Sequence, residues 1–423
     1  MSSFSGYFCL AAASLTLVVT APAEVLAQGA DADATTDMQM SGLYGRYSMT
    51  REGSGTSWQP DATPMQGLQQ MHDTWLTMEA GFLTAIYDDQ GGLRGATQTF
   101  STSMLMFMAR RELTDGAFGV RLMVSGDPLM GKSGYPLLFQ NGETANGVDP
   151  LIDRQHPHDL LMEAALTYSH GFGRDSSAFV YAALPGEPAL GPNAFMHRLS
   201  ALENPEAPLS HHWLDSTHIS WGVVTAGYVI GGVKLEASAF NGREPDEDRY
   251  DIEVRALDSY AVRASYNPSE RWSLQGSFGR LASPEQLEPT VSVRRSTVSV
   301  SYNAPVARWW QTTLAFGRNV PSAGDATDAW LLESSAAVSP ALTLFARYEH
   351  VAKDELFLPA QPLYGQTFTI QKLSLGGVYD FAQAARIRLG VGALVSGYGY
   401  PASLNTSYGS HPSSFMVFMR ARL

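Results

Sequence analysis

Histidine is concentrated in one part of the chain. Most of the ten histidines fall between residues 156 and 218, where carboxylates accompany them. Neutral imidazole and carboxylate oxygen are ligands that zinc, copper and nickel accept. The sequence therefore predicts a metal site formed by His156, His158, Asp159, His197, His211, His212, Asp215 and His218. The other interpretation is that these histidines are hydrogen-bonded packing residues, because no spacing matches a zinc-finger or HExxH pattern.

Methionine supplies a second set of candidate ligands. The set comprises Met38, Met40, Met49, Met65, Met71 and Met78 with His72, and then Met104, Met106 and Met108. Thioether together with imidazole suits Cu(I) in an oxidising compartment. Residues two apart share one face of a strand, so packing against lipid or a core explains the last three equally well. Copper and zinc are the cofactors that the sequence leaves open, and it requires neither.

Composition and charge exclude several classes of protein. Of the 423 residues, 44% are hydrophobic and 16% are charged, and the mean hydropathy is -0.11. These values do not fit a polytopic helical membrane protein. The net charge of -13 argues against a nucleic-acid partner, whose backbone requires a basic surface. The single cysteine, Cys9, excludes a disulfide framework and a cysteine-based zinc site.

The N-terminal part divides into two regions before the main body of the chain. Residues 8–23 read FCLAAASLTLVVTAPA, an apolar stretch that small residues follow as far as Ala27. This pattern predicts a secretory signal peptide over residues 1–27, although that region has no Lys or Arg. Residues 28–70 are rich in Gly, Ser, Thr, Asp and Met, and predict a flexible arm or a plug-like segment. Residues 71–423 form the third region.

Alternation of apolar with polar or small residues dominates this third region. In one segment, Tyr260 and Val262 share one face while Arg263 takes the other, which is the period of a strand with two different sides. About sixteen such segments are present. They lie near residues 75–87, 99–111, 117–127, 159–171, 177–185, 217–228, 232–243, 257–267, 271–282, 291–302, 308–319, 328–338, 341–352, 367–380, 386–397 and 413–423.

The links between these segments alternate in length. Short turns follow the even-numbered segments, whereas the odd-numbered ones are mostly followed by longer loops such as 128–158 and 185–216. Short turns on one side, long loops on the other and an even strand number are typical of bacterial outer-membrane barrels. Lipid cannot satisfy backbone polar groups, so a sheet crosses a membrane only by closing on itself. We therefore predict an all-β fold, an antiparallel transmembrane β-barrel of about sixteen strands. A soluble sandwich or propeller is the alternative.

Two further patterns fit a barrel. Aromatic residues near segment ends predict interfacial girdles. They are Tyr168, Tyr181, Tyr228, Tyr266, Trp272, Tyr302, Trp309, Trp310 and Tyr348. Arg121, Arg263 and Arg347 lie on the faces opposite the apolar ones, and an arginine facing lipid costs about 2–4 kcal/mol at the midplane. We expect these arginines to face a polar, water-filled lumen, because sixteen strands leave an aqueous channel.

Catalysis has weaker support in the sequence. Ser216, His218 and Ser220 would share one strand face, and Ser169 adjoins His170, as in an outer-membrane lipid hydrolase with a serine nucleophile. A chain rich in serine produces such pairs by chance, and no GxSxG motif is present. We therefore expect no enzymatic activity and no catalytic residues.

Several motifs resemble those of an uncharacterised family of bacterial outer-membrane proteins. They are GYPLLFQ at 134–140, DRQHPHD at 153–159, NPEAPL at 204–209, HHW at 211–213, DSTH at 215–218 and FNGREPD at 240–246. The resemblance spans about residues 71–283. It implies a barrel in the outer membrane that accompanies resistance to copper and other heavy metals, and it supplies no catalytic residues.

The patterns together predict a porin-like channel for small solutes or ions, with a link to copper or heavy-metal handling. Its partners would be outer-membrane lipid and the solutes or metal ions, and a homotrimer is left open. The first alternative is a metal-binding or sequestration protein whose barrel serves as an anchor. The weaker alternative is the lipid hydrolase.

Overall fold

The computed structural model describes residues 41–306, 308–384 and 386–423. The predicted signal peptide and the first part of the predicted arm lie outside these residues. The strands are β1 Leu68–His72, β2 Trp75–Gln90, β3 Thr97–Leu113, β4 Gly116–Val124, β5 Tyr135–Thr144, β6 Pro150–Gln155, β7 Leu161–Gly171, β8 Ser176–Gly186, β9 Ser220–Ile230, β10 Val233–Phe240, β11 Ser259–Ser269, β12 Trp272–Ala282, β13 Ser292–Ala304, β14 Trp309–Pro321, β15 Thr327–Ala337, β16 Leu342–Lys353, β17 Phe368–Ala384, β18 Ile387–Gly399 and β19 Ser413–Arg422.

Among the described residues, helical structure is confined to single turns. The α-helical turns are α1 His211–Leu214 and α2 Asn405–Tyr408, and the 3-10 turns are Met49–Arg51, Asp127–Met130, Phe195–His197, Ser216–His218 and Ala402–Leu404. Within the described ranges, no helix has the length and apolar character needed to cross a membrane.

Sixteen antiparallel strands close into a barrel. Each of β2 to β4 and β7 to β19 pairs with its neighbours around the wall, and β19 pairs with β2 to complete the circle. The strand β1 extends this sheet as a hairpin with β2, whereas β5 and β6 form a separate two-stranded sheet. The predicted fold class and strand number are therefore confirmed.

Side-chain alternation gives the wall an apolar outside and a polar inside. On β11, Tyr260 is 50% exposed and Val262 is 48% exposed on the outer face, while Arg263 is buried inside. Successive residues of a strand point to opposite faces, so each strand contributes to both surfaces. The girdle prediction is wrong for Tyr181, because its side chain is fully buried inside the barrel and donates a hydrogen bond to Glu163.

The two ends of the barrel differ as the link lengths predict. Turns such as 114–115, 231–232 and 270–271 join strands at one end, and the loops 125–160, 187–219 and 241–258 lie at the other. In barrels of this class the end with short turns faces the periplasm and the long loops face the exterior.

Three inserted segments fill the lumen. They are residues 41–67, the long loop 187–219 and the β5–β6 hairpin, and below they are called the N-terminal segment, the inserted loop and the inner hairpin. Inner-wall cations such as Lys234, Lys353 and Lys372 are at most 1% exposed. The expectation of a water-filled lumen is therefore wrong for the described residues in this conformation, because protein replaces water beside these side chains.

The apolar core lies inside the barrel, where the inserted segments meet the wall. Leu138 and Phe139 of the inner hairpin, Leu209 of the inserted loop and Ile370 of β17 are all fully buried in one cluster. Strand β5 of the inner hairpin is buried on both of its faces, so its sequence does not show the alternation of the wall strands.

Candidate functional site

The inner wall carries buried charges, each in contact with an inserted segment or another wall residue. Arg121 donates from Nη1 to the carbonyl of Gly55 at 2.8 Å, and Arg263 donates from Nη1 to the carbonyl of Gly191 at 2.9 Å. Arg347 donates from Nη1 to the carbonyl of Glu206 at 2.7 Å. The structure thus places all three predicted lumen arginines inside the barrel, where they hold the N-terminal segment and the inserted loop.

The inserted loop is tied by ion pairs to the wall strands β15, β17 and β19. Arg198 of the loop contacts Glu333 of β15, and Nζ of Lys372 on β17 lies 2.5 Å from Oε1 of Glu206. Glu203 of the loop bridges two wall cations of β19, which are Arg420 and Arg422.

Hydrogen bonds and apolar contacts support these ion pairs. The hydroxyl of Ser210 donates to Glu349 at 2.8 Å, and the indole of Trp213 donates to Thr327 at 3.0 Å. Leu209 and Trp213 belong to the main core cluster. The inserted loop is therefore fixed by polar and by apolar contacts. Its ion pairs lie where it passes the wall strands β15 to β19.

The N-terminal segment packs against the inner wall near the short turns. The amide of Ala62 donates to the carbonyl of Glu270 in the turn 270–271, at 2.8 Å. The hydroxyl of Thr56 donates to Glu236 on β10 at 2.5 Å. The same hydroxyl oxygen accepts a hydrogen bond from Nη2 of Arg263 at 2.9 Å. This segment also contacts the inserted loop, because the amide of Ala194 donates to the hydroxyl of Ser54 at 2.8 Å.

Three histidines meet beneath the long loops at the outer end. The ring centroids of His158 and His218 are 5.3 Å apart, and those of His211 and His218 are 5.2 Å apart. His158 has Nδ1 at 2.8 Å from Asp127, and His211 has Nδ1 at 2.8 Å from Asp215. A neutral imidazole that donates from Nδ1 keeps its lone pair on Nε2, which is how metal-binding histidines are oriented. We call these three residues the inner triad.

The third ring of the inner triad follows the same rule. Nδ1 of His218 lies 2.8 Å from the backbone carbonyl of Asp215, which can only accept, so the ring must donate from Nδ1. Its Nε2 is buried and has no hydrogen-bond partner among the described residues. The lone pair on this nitrogen is therefore free.

Two more histidines form an adjoining pair. The rings of His156 and His212 are 6.0 Å apart, and His211 joins this pair to the inner triad at 5.6 Å from His212. Nε2 of His156 lies 3.3 Å from Oε1 of Glu143, and Nε2 of His212 lies 4.0 Å from Oε2 of Glu244. A cavity of about 10 Å³ lies among the two groups, close to the space that one water molecule needs.

Burial sets the protonation of the histidines. It lowers the pKa of His156, His212 and His218 well below the ordinary value, and it lowers the pKa of His211 although Asp215 opposes the change. The rings are therefore neutral at neutral pH, which is the form that binds a metal ion.

The pKa values of the carboxyl groups in this cluster are shifted, some below and some above their ordinary values. Burial alone would raise the pKa of Asp215, but Arg198 and His211 hold it well below the ordinary value. Burial raises the pKa of Glu143 to about 7 in spite of Arg249, and burial together with Glu143 raises the pKa of Glu244 to about 8. Asp215 is therefore an ionised orienting group, whereas Glu143 and Glu244 exchange protons near neutral pH.

The predicted metal-site residues do not all come together. His197 lies apart from the cluster, in a cavity that Arg121 also lines. Asp159 contacts Arg249 at 3.3 Å, and Asp215 holds both Arg198 and His211. The remaining five predicted histidines form the triad and the adjoining pair.

Sequence reasoning missed three carboxylates that contact these rings, which are Asp127, Glu143 and Glu244. Asp127 and Glu143 lie far from any histidine in the chain order, and Glu244 belongs to the charged run 243–249, whose composition is typical of a solvated loop. No spacing rule connects them to the histidines, because the long loops bring them together only in the fold.

The ligand atoms of the histidine cluster are not in coordination geometry in this conformation. Among the described residues, three His, Asp or Glu ligand atoms lie within 4.8 Å of one another only in the group Asp246, Asp251 and Glu253. A metal ion at the inner triad would therefore require rotation of its rings.

The predicted serine and histidine arrangement of a hydrolase is not formed. Ser216 and His218 belong to a 3-10 turn and not to a strand, and the hydroxyl of Ser216 accepts a hydrogen bond from Arg295 at 2.9 Å. Ser220 donates to the carbonyl of Thr217, and Ser169 donates to the carbonyl of Leu43. In this conformation, none of these hydroxyls is hydrogen-bonded to a histidine that could act as its base.

Solved structures of other proteins share the barrel fold. No family model and no curated protein matches the sequence. The structure is similar to Salmonella typhi OmpF in complex with daunomycin, with a TM-score of 0.53, 9% identity and coverage of 84% of this chain and 100% of that one. It is also similar to Pseudomonas putida OprB at high pH, with a TM-score of 0.51, 10% identity and coverage of 82% and 93%.

The apolar outer surface and the closed wall fix the location of the molecule. A closed sheet with lipid-compatible residues outside satisfies every wall hydrogen bond without water, as a membrane requires. The protein is a β-barrel of the bacterial outer membrane.

Proposed function

We propose that the protein is a porin-like channel for small solutes or ions, and that the inserted loop closes it in this conformation. The observation that carries the proposal is the charged inner wall, whose arginines, lysines and glutamates contact the inserted loop. A barrel that served only as an anchor would gain stability from an apolar filling, because buried ion pairs recover little more than their desolvation cost. Charges on the wall and the loop can both be hydrated when the loop moves, so the polar contact permits opening.

Planar-bilayer conductance tests this proposal. We expect rare openings from the wild-type protein and more frequent openings from Glu203→Gln, which leaves Arg420 and Arg422 without their loop partner. A change of 1.4 kcal/mol corresponds to about a tenfold change in the open population. The matched control is Asp328→Asn, which removes an exposed ion pair with Arg318 at the outer end and should not change gating.

A variant that lacks part of the loop makes the test decisive. Deletion of residues 192–208 removes the ties of Arg198, Glu203 and Glu206 to the wall. If neither this variant nor Glu203→Gln passes ions when folded into a bilayer, the channel proposal is wrong.

The second candidate function is metal binding at the outer end, and the histidine cluster favours it. Three rings oriented through Nδ1, two adjoining rings and nearby carboxylates supply ligands for zinc or copper. Binding of copper or another heavy metal here would agree with the resemblance to proteins that accompany metal resistance. The barrel would then act as an anchor, or the metal would act on the channel.

Isothermal titration of Zn²⁺ and Cu²⁺ tests the second candidate. We expect the wild type to bind one equivalent and the variant His158→Asn/His211→Asn/His218→Asn to lose it. The control is His411→Asn, which changes an exposed histidine in the loop 400–412 at the same end. Equal binding by the triad variant and the control would exclude the cluster as a metal site.

A further inference from the structure

A cavity of about 140 Å³ lies inside the barrel wall, in the half nearer the short turns. It is enclosed by β2, β3 and β4, by the N-terminal segment and by the part of the inserted loop that contains Met196. It lies apart from the histidine cluster. Its volume is close to the roughly 150 Å³ of an apolar cavity that accepts one benzene molecule.

Methionine is the most frequent residue in the apolar lining. Eight of the sixteen methionines of the chain line the cavity, among them Met78, Met106 and Met196. Residues of even number on β3, such as Met104, face inward, whereas Leu105 and Phe107 are exposed to lipid. The structure therefore assigns the regular methionines of β3 to the lumen side and not to lipid. Methionine has a flexible and polarizable side chain that adapts to the shape of a ligand.

Two arginines bring unpartnered polar groups to the lining. Arg110 and Arg121 both reach the cavity, and Nε of Arg110 and both Nε and Nη2 of Arg121 are buried without hydrogen-bond partners among the described residues. Nε2 of His197 is also unpartnered. Burial, with Arg121 nearby, lowers the pKa of His197 to about 4, so this ring is neutral. Unpaired buried donors are costly and indicate a missing acceptor.

The charge of the lining distinguishes between ligand classes. Arg110, Arg121 and Arg422 are opposed by two carboxylates, Glu52 and Glu163. Arg422 is already paired with Glu203, and Arg121 with Glu163. The set of N–H groups on Arg110 and Arg121 that have no acceptor among the described residues disfavours a soft metal cation, although thioethers and an imidazole are present. It favours an anionic group placed against the arginines.

We propose that this cavity binds a small carboxylate with an apolar body, whose ring or short chain lies among the methionines and whose carboxylate contacts Arg110 and Arg121. The proposal goes beyond channel activity, because the site is complete in the closed conformation. The size of the cavity limits the body to about one aromatic ring or a chain of about six carbons.

Fluorine NMR of the full-length protein in zwitterionic lipid nanodiscs tests the proposal, with 4-fluorobenzoate as the probe. We expect saturable binding of 4-fluorobenzoate, binding at least about tenfold weaker for 4-fluorobenzyl alcohol and 4-fluorobenzylamine, and none for fluoroacetate. A tenfold difference is the scale of one hydrogen bond to a charged group. Equal binding of the acid and the amine would overturn the proposal.

Two variants with matched controls localise the binding. Arg110→Met should weaken the binding of 4-fluorobenzoate about tenfold, whereas Arg111→Met, which changes the exposed neighbour on the other face of β3, should not. Met106→Trp should fill the cavity and abolish binding, whereas Phe107→Trp on the lipid side should preserve it. Unchanged binding in both cavity variants would show that the probe binds elsewhere.

Further arms test the size and the class of ligand. Hexanoate should displace the probe better than palmitate, whose chain is too long for a cavity of about 140 Å³, and the reverse order would contradict the proposal. Displacement of the probe by Ag(I) but not by hexanoate would contradict the carboxylate proposal and assign the cavity to a soft metal. The readout is binding and not current, so failure here leaves the conductance test unaffected.

Discussion

Glu244 is a carboxyl group for which burial sets an unusual proton affinity. Burial and the neighbouring Glu143 raise its pKa to about 8 from an ordinary value of 4.5. Between pH 4.5 and 8 the unfolded chain releases this proton while the folded protein keeps it, so the fold loses stability as pH rises through that range. Above pH 8 the loss in free energy of unfolding that this group causes no longer changes with pH.

We expect Glu244→Gln to be more stable than the wild type at pH 9 by roughly 1–3 kcal/mol, and the gain to shrink towards pH 4.5. Glutamine resembles the neutral acid and has no charge to bury. Urea unfolding at pH 5 and pH 9 measures the difference. Glu288→Gln, an exposed carboxyl at the same end, is the control and should show no such trend. A gain of the same size at both pH values would contradict the prediction.

Gly142 allows His212 to take its place in the cluster. Its φ is +105°, and a Cβ atom there would lie 2.1 Å from Cε1 of His212. Gly131 has a similar φ of +92° but nothing within 4 Å of its added Cβ. Alanine at either position strains the backbone, but only at residue 142 does it also displace a ring.

Gly142→Ala should therefore destabilise the protein by about 1–3 kcal/mol more than Gly131→Ala, which is the usual cost of overpacking. The free energy of unfolding of the two variants, measured under one condition, gives the comparison. Equal losses would mean that the loop moves aside without cost and that the ring position is not fixed.

At the scale of residues, the sequence predicted which histidines are buried near one another better than it predicted what surrounds them. The HPH and HH pairs are close in the chain, and the fold keeps them close. The contact of His156 with Glu143 lies within the loop 125–160, across the inner hairpin, whereas the contact of His212 with Glu244 joins two different loops. Such contacts depend on the path of each loop inside the barrel, which no local spacing encodes.

Lys372 and Glu206 connect two elements, the wall strand β17 and the inserted loop. Nζ of Lys372 lies 2.5 Å from the carboxylate, and the side chains are 0% and 1% exposed. Removal of one partner leaves a buried charge uncompensated, which costs about 3–5 kcal/mol. Removal of both costs less, because no isolated charge remains.

A double-mutant cycle tests this coupling between loop and wall. We expect Lys372→Met and Glu206→Gln each to be strongly destabilising, and the double variant to be more stable than the sum of the two losses predicts. The exposed pair Arg318 and Asp328 is the reference and should show a coupling of about 0–1 kcal/mol. Additive losses at the buried pair would show that the loop is not held by this contact.

At the scale of elements, periodicity located the wall strands and failed inside the lumen. The wall strands have one apolar and one polar face, so they alternate. The strand β5 is buried on both faces, so its sequence does not alternate and periodicity does not predict it. The turn Ser216–His218 shows the opposite error, because its polar residues continue the alternation of β9 without belonging to the strand.

The whole molecule depends on the apolar belt that faces lipid. Val298 lies in the middle of β13, is 60% exposed and points outward. We expect Val298→Arg to destabilise the folded barrel in lipid by about 2–4 kcal/mol, and Ser292→Arg, at the rim of the same strand, by about 0–1 kcal/mol. Urea unfolding in lipid vesicles measures both. Similar losses at the two depths would contradict the assigned membrane position of this strand.

At the scale of the molecule, sixteen strands and alternating link lengths were enough to predict a closed barrel. They were not enough to predict a filled one. The number of strands sets the diameter, whereas the filling depends on segments whose sequences are mixed and whose paths are set by contacts such as Arg263 with Thr56. The inward position of the arginines is consistent with a water-filled lumen and with a protein-filled one.

The seam between β2 and β19 has a consequence for how the molecule is made. Register pairs such as Phe82 with Arg422 join positions that are synthesised early with positions that are synthesised late. The nascent polypeptide therefore has to be kept unaggregated until residues 413–422 have arrived, and such distant pairing is slow because it must overcome a large loss of chain entropy. Until that step the first and last ribbons present open edges, at which mispairing with another copy can start.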